Sequence, residues 1–406
     1  MTSPAPWVVC QIGAREDFAV ARALARQALL SELLTDVWAG GHPLRPVLPA
    51  RLAGRDHAAL ADHRVWAPTT RALLREAGDR ITGRGGWDAI LHRNAWFARH
   101  AAAHLAYRPA GQDLTVFAYS YAAGDIFALA RARGWRTVLG QIDPGPFEAR
   151  MVADIYAAAG DPLEPIPATY WDHWQREVDL ADTILVNSDW SRQGLIAEGV
   201  PAERITVVPL AFEGAATPPA RAPLPDRFTA DHPLRLLFLG QVTRRKGIDI
   251  ALDAMAALPD APLRLDVVGP VQITIPDTAR ADPRIVFHGS RPRHETPAAY
   301  AGADLFVFPT RSDGFGLTQL EALAQGLPVI ASDRCGTVVR CGTDGVILPD
   351  LTPAALADTL SALSADPARV RRMMQAARLD TRFDLDTLGQ SLAALTPGAV
   401  TTGHPG

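Results

Sequence analysis

The sequence predicts an α/β protein built from two doubly wound parallel sheets that face each other across a cleft. Three observations carry that expectation. The chain has 406 residues, too many for one ordinary hydrophobic core, so two domains of roughly 200 residues each are expected. Short apolar runs ending in Gly, Ser or Pro alternate along the chain with longer helical patterns, the signature of parallel strands joined by crossover helices. A middle stretch, Glu213 to Pro233, carries five prolines and almost no large apolar residue, the composition of a linker. The expected domains are 1–212 and 234–396, with a flexible tail at 397–406.

The strands of the first half are expected at Trp7 to Ile12, Leu114 to Tyr119, Thr137 to Ile142, Thr183 to Val186 and Ile205 to Pro209. Those of the second are expected at Leu234 to Leu239, Leu263 to Val268, Ile285 to His288, Leu305 to Pro309 and Val329 to Ser332. A helical pattern near Leu385 to Leu395 has the length to cross back onto the first domain, and the sequence leaves that open.

Composition narrows the function. Hydrophobic residues make up 48% and charged residues 21%, the mix of a folded protein rather than a disordered one. A net charge of −4, with no basic block interleaved with aromatics, argues against nucleic acid as partner. Residues 1–150 hold 18 arginines against 13 acidic residues, a local +5. That excess reads as a solvated arginine face or, as the rival, a peripheral contact with an anionic membrane surface or a charged acceptor. No apolar stretch has the roughly 20 residues of a membrane helix, and no basic segment precedes the first apolar run. Three cysteines, Cys10, Cys335 and Cys341, show no paired spacing, which favours reduced thiols and a cytoplasmic setting, with the inner membrane surface as the variant.

In open parallel sheets ligands sit beyond the carboxyl ends of the strands. That rule selects Gly13 to Asp17, Ser120, Tyr121, Asp143, Asn187 and Ser188 in the first half. In the second it selects Gly240 to Gly247, Gly269, Gly289 and Thr310 to Gly316. Gly240, Gln241, Val242, Thr243, Arg244, Arg245, Lys246, Gly247 reads as strand end, basic turn and helix start, and basic side chains there reach a diphosphate. Lys246 is the single lysine among 40 basic residues. An ordinary solvated helix start is the plainer alternative.

The second constellation is D-L-F-V-F-P-T-R-S-D-G-F-G-L-T-Q-L-E, residues 304–321. A strand delivers a glycine loop to a helix starting near Gly316, so the amides of Gly314, Phe315, Gly316 and Leu317 are expected to face a phosphate. Asp313 precedes the helix and Glu321 follows about two turns along it, so the pair brackets an extended ligand. The plainer alternatives are a helix cap for Asp313 and an exposed carboxylate for Glu321.

GQVTRRKG at 240–247, VVG at 267–269, FHG at 287–289 and DLFVFPTRSDGFGLTQLEALAQGLPVIAS at 304–332 resemble the retaining glycosyltransferases of family 4. Those are two-domain enzymes of the GT-B fold, with Rossmann-like halves. The resemblance extends more weakly over 179–213. It implies a metal-independent transferase that needs no cofactor, takes a nucleotide-diphosphate sugar as donor in the second domain, and binds an acceptor it does not identify in the first. By position it implies that Lys246 meets the donor diphosphate, that Gly314 to Leu317 form the amide cradle, and that Glu321 holds the ribose hydroxyls. Asp313 would face the donor sugar. Gln241, Arg244, Arg245 and Gly289 complete the donor set. The acceptor side would include Gly13, Arg15, Glu16, Asp17, Tyr121 and Asp143, although the Gly13–Asp17 loop equally fits an ordinary surface turn.

The sequence departs from that pattern at three places. Gln241 stands where the family usually has Arg, Asp313 where it has Glu, and no histidine follows the strand ending at Ile142, where Asp143 and Pro144 stand instead. A non-catalytic subunit that binds a nucleotide sugar, or an epimerase or phosphorylase of the same fold, therefore remains as an alternative. GFGLTQ is not a dinucleotide fingerprint and no phosphate-binding GxxxxGK[ST] loop occurs. The DxD at Asp384 to Asp386 lies by a helix rather than after a strand, and His57 and His63 are spaced wrongly for one helical metal face.

Overall fold

In the computed structural model the described residues are 5–43, 45–214, 218, 221 and 223–395. Parts of the expected linker (215–217, 219–220 and 222) and the expected tail at 397–406 lie outside them. Thirteen strands form two sheets among these residues. The first contains β1 (Trp7–Gln11), β2 (Leu30–Thr35), β3 (Val65–Trp66), β4 (Thr115–Tyr119), β5 (Arg136–Gly140), β6 (Thr183–Val186) and β7 (Ile205–Val207). The second contains β8 (Leu234–Leu239), β9 (Leu263–Val268), β10 (Ile285–Gly289), β11 (Leu305–Phe308), β12 (Val329–Ala331) and β13 (Gly345–Ile347).

The strand orders are 3-2-1-4-5-6-7 and 10-9-8-11-12-13, and the paired strands run parallel. Each order reverses once, between β1 and β4 and between β8 and β11. Those reversals open a crevice at the carboxyl edge of each sheet. Every strand placed from sequence is present, and three were missed. β2 hides because Ser31 and Glu32 interrupt its apolar run; Glu32 is 1% exposed and is held by Arg108 together with His104 at 3.0 Å and Arg64 at 3.1 Å. β3 and β13 have two and three residues, too few to show a period.

Alternate residues of the first sheet face opposite cores, as the two-residue strand period requires. Trp7, Val9, Leu33, Phe117, Val138 and Leu185 meet helix Ala19–Arg26, while Val8, Cys10, Val116, Leu139 and Ile184 meet helices Gly86–Leu105 and Gly124–Ala132. The second sheet divides likewise, with Leu236, Leu265 and Val307 on one side and Leu237, Phe306 and Val329 on the other.

The end of the chain corrects the expected second domain of 234–396. Helix Leu385–Ala393 leaves that domain and inserts Leu385, Leu388 and Leu392 into the core of the first, against helix Ala19–Arg26. Asp384 caps it by accepting from the amide of Thr387 at 2.7 Å, and Asp386 meets Arg26 at 3.2 Å. Both acids of the DxD therefore serve this helix. The outgoing chain crosses beside it, with the amide of Phe212 donating to the carbonyl of Phe383 at 2.8 Å. Leu392 is fully buried, so Leu392→Ala is expected to cost about 2–4 kcal/mol of stability, read from the midpoint of urea unfolding.

Candidate functional site

The two carboxyl edges meet. After β8 the chain turns through Thr243–Gly247, where Gly247 takes φ +75° and an added Cβ would lie 1.9 Å from the carbonyl of Pro309. The turn after β8 is thereby locked against the loop after β11, and Lys246 forms an ion pair with Asp313 across them. Burial works to raise the Asp313 carboxyl, but the charges of Lys246 and Arg245 outweigh it and hold Asp313 below the usual carboxylate range.

The glycine loop is seated directly on the first domain. A Cβ at Gly314 would stand 2.0 Å from the carbonyl of Ile142, at the end of the β5 loop, so only glycine permits this approach. The Gly314 carbonyl accepts from Ser188 Oγ at 2.7 Å and Ser191 Oγ at 3.3 Å, and Trp190 Nε1 donates to Ser312 Oγ at 2.8 Å. Helix Thr318–Ala324 starts two residues later than Gly316, with Leu317 as its cap.

First-domain acids meet the basic turn. Arg244 pairs with Asp161 as well as Asp249, and Arg245 donates to the Ser312 carbonyl at 2.9 Å while lying 3.8 Å from Glu148. Burial raises the Glu148 carboxyl above its ordinary value. Neither Glu148 nor Asp161 carries a sequence signal, since both sit in segments with no motif.

Glu321 occupies a different place from Asp313. It accepts from the Tyr300 hydroxyl at 2.7 Å and, with Leu317, lines a cavity of about 260 Å3 between the domains. The opposite wall includes Glu16 and Asp17, so the loop after β1 closes over Glu321. Residues Glu16, Asp17 and Phe18 all hold positive φ, 51°, 51° and 62°, a run that costs roughly 1–3 kcal/mol per residue. Tyr119 steadies it by donating to Glu16 at 3.1 Å.

The expected acceptor residues thus divide. Glu16 and Asp17 lie beside Glu321, whereas Gly13, Arg15 and Tyr121 line a separate cavity of about 370 Å3 at the ends of β1 and β4. Asp143 is fixed by Tyr121 Oη at 2.7 Å, Gln141 Nε2 at 3.0 Å and the Gly145 amide at 2.9 Å. Gln241 is exposed, and Gly289 ends β10 with its carbonyl accepting from the Gly269 amide at 2.9 Å. Neither lines the cavity with Glu321. Much of the first-domain arginine excess is ion-paired internally, as in Arg75 with Asp79 at 2.5 Å and Arg84 with Asp79 and Asp88 at 2.9 and 2.8 Å. Among the described residues no three acidic, His or Cys side chains are grouped to hold a metal, and no helix is long and apolar enough to cross a membrane.

Two facing parallel α/β domains, with a basic turn and a glycine loop side by side at the carboxyl edge of the second sheet, define the GT-B class. The fold matches Anabaena HepE solved with UDP and glucose (17% identity, 96% of this chain and 98% of that one, TM-score 0.61). It also matches sucrose-phosphate synthase of Thermosynechococcus elongatus (20%, 96% and 98%, 0.64). Residues 233–366, most of the second domain, match the family model of Glycosyl transferases group 1. D-inositol 3-phosphate glycosyltransferase of Xylanimonas cellulosilytica is 31% identical over 246 residues, 55% of this chain and 58% of that one. The Nocardia farcinica protein of the same name is 30% identical over 292 residues, 65% and 61%. The matched stretch thus spans about three fifths of the length of these relatives.

One buried carboxylate braces the first-domain wall. Glu177 is 2% exposed and accepts from the amides of Tyr121 at 2.6 Å, Ala123 at 2.7 Å and Gly124 at 3.2 Å, holding Tyr121 at φ +73°. Burial pushes its carboxyl up to about 7 against the opposing pull of the amides, from an ordinary value of 4.5. The native state then keeps a proton that the unfolded chain has lost, so this group makes stability fall as pH rises from 4.5 to about 7. Urea unfolding across that window is expected to show a shallower decline for Glu177→Gln than for the parent chain.

Proposed function

We propose that the chain transfers a sugar from a nucleoside-diphosphate sugar to an acceptor hydroxyl, with retention at the anomeric carbon and without a divalent metal. The observation that carries this reading is Lys246, the only lysine of the chain, poised with Asp313 where the second sheet reverses and opposite the first. The match of the same domain to the group 1 family model supports it, as does the UDP bound to the similarly folded HepE.

In this reading the donor diphosphate takes Lys246 from Asp313, with Arg244 or Arg245 adding charge where Gln241 supplies none. The loop amides at Gly314–Leu317 donate to the phosphate oxygens, and Glu321, oriented by Tyr300, accepts from the ribose hydroxyls. Asp313, released from Lys246, then faces the sugar. The bond from the anomeric carbon to the diphosphate breaks, the acceptor oxygen bonds to that carbon on the same face, and its proton passes to the departing phosphate. Fixed positive charge at Lys246 and the arginines stabilises the negative charge that develops. The relatives' name suggests a hydroxylated acceptor, bound by the first domain. The three free thiols, two of them buried, fit the cytoplasmic setting expected from sequence.

The decisive experiment is calorimetry with UDP, GDP and ADP. Lys246→Ala is expected to weaken the preferred nucleotide by about 1.5–3 kcal/mol, the worth of a charged hydrogen bond. Asp313→Asn, which frees the lysine, is expected to bind that nucleotide at least as well and to turn over the intact donor more slowly. Unchanged affinity in Lys246→Ala overturns the donor assignment. For the reaction course, proton NMR of the product in excess chelator is expected to show the donor's anomeric configuration. An inverted product, or activity that returns only with magnesium or manganese, defeats that part of the reading.

A further inference from the structure

The first domain offers two adjoining spaces beside the glycine loop that the transfer reading leaves without an occupant. The smaller, of about 370 Å3, is lined by Arg15, Arg55 and Arg93 and by no carboxylate. Arg55 is already balanced by Asp36 at 3.0 Å. Arg93 has only two 3.4 Å contacts to Asn94 Oδ1, and Arg15 lies 5.1 Å over the Tyr119 ring. Two other lining side chains, Gln11 (1% exposed) and Ser120 (7% exposed), leave Gln11 Oε1 and Ser120 Oγ buried with no hydrogen-bond partner. Buried polar atoms without partners are rare and costly, and both residues belong to the wall of a cavity rich in positive charge.

The larger space, about 650 Å3, is mostly apolar. Its walls include Trp87, Leu163, Pro165, Ile166, Tyr170 and Trp171, and Arg245 of the second domain closes one side. Trp87 packs edge-on to Tyr170 at 4.9 Å, and Tyr170 stacks on Tyr121 at 4.4 Å. Trp87, Tyr121 and Tyr170 line both spaces, so the two lie side by side. Asp143, whose backbone lies against Gly314, lines the larger space.

We propose that the acceptor is an amphiphile: an anionic, hydroxylated group held at Arg15 and Arg93 with Gln11 and Ser120, joined to an apolar portion lying against Trp87, Tyr170 and Trp171. This rests on the transfer reading for the word acceptor, but the binding site stands on its own geometry. The guanidinium of Arg93, which forms no ion pair among the described residues, calls for an anion, the polar side chains of Gln11 and Ser120 for hydroxyls, and the aromatic wall for a hydrocarbon. Ile142, whose carbonyl meets Gly314, lines the smaller space, which puts the hydroxylated part next to the glycine loop.

The test uses the full chain and intrinsic tryptophan fluorescence with n-octyl phosphate, inorganic phosphate, nonanoate and octyl glucoside, all below micellar concentration. Octyl phosphate or nonanoate is expected to bind at least tenfold more tightly than both inorganic phosphate and octyl glucoside, and the better of the two identifies the anion. Arg93→Gln is expected to weaken the charged amphiphile and inorganic phosphate alike. Trp171→Ala, or Leu163→Ser at a position already 44% exposed, is expected to weaken the amphiphile and leave inorganic phosphate unchanged. Equal affinity for octyl glucoside, equal affinity for inorganic phosphate, or indifference to both kinds of variant overturns the proposal. UDP titrated into the same preparation separates the readings. Amphiphile binding without UDP binding sinks the donor assignment alone, and the reverse sinks this site alone.

Discussion

The approach of Gly314 to the carbonyl of Ile142 is the constraint on which the rest of the site depends. An open parallel sheet exposes its reactive edge only where the strand order reverses, and this contact, with the hydroxyls of Ser188 and Ser191 on the Gly314 carbonyl, brings two such edges together. Everything charged in the cleft is then close enough to interact. Lys246 finds Asp313, Arg244 finds Asp161, and Arg245 approaches Glu148. A side chain at Gly314 would separate the edges and leave each half with a crevice facing water.

The basic turn is held by carboxylates. Such pairing is how a partly buried site keeps cations ordered without leaving them uncompensated. In the proposed function a diphosphate competes with Asp313 and Asp161 for these cations, and Asp313 is released from the lysine only when phosphate arrives.

Much of this was legible in the sequence because parallel strands announce themselves as apolar runs and their ends as glycines. Ten of the strands, the basic turn and the glycine loop followed from that. The missed pieces share a cause, which is that nothing periodic marks them. Glu32 sits inside a strand because three distant basic side chains reach it. Tyr300, Glu148 and Glu177 acquire their roles only when helices far apart in sequence pack side by side. The first-domain wall is of this kind throughout, whereas the glycine loop is written in consecutive residues. The turn of the loop after β1 toward Glu321 was hidden for a related reason: it rests on the left-handed run at residues 16–18, and no residue type there signals positive φ.

The chain passes between the domains twice, outward near Phe212 and back near Phe383, and the two passages are hydrogen-bonded side by side. A single tether permits twisting and swinging alike; a bonded pair of tethers resists twist and leaves bending about one axis. The domains are thus tied at two places, at this paired crossing and at the seat of Gly314 on Ile142. Because the returning helix anchors by Leu385, Leu388 and Leu392 in the first domain's core, the second crossing is held by the packing of that core, and the stability of one domain secures its junction with the other.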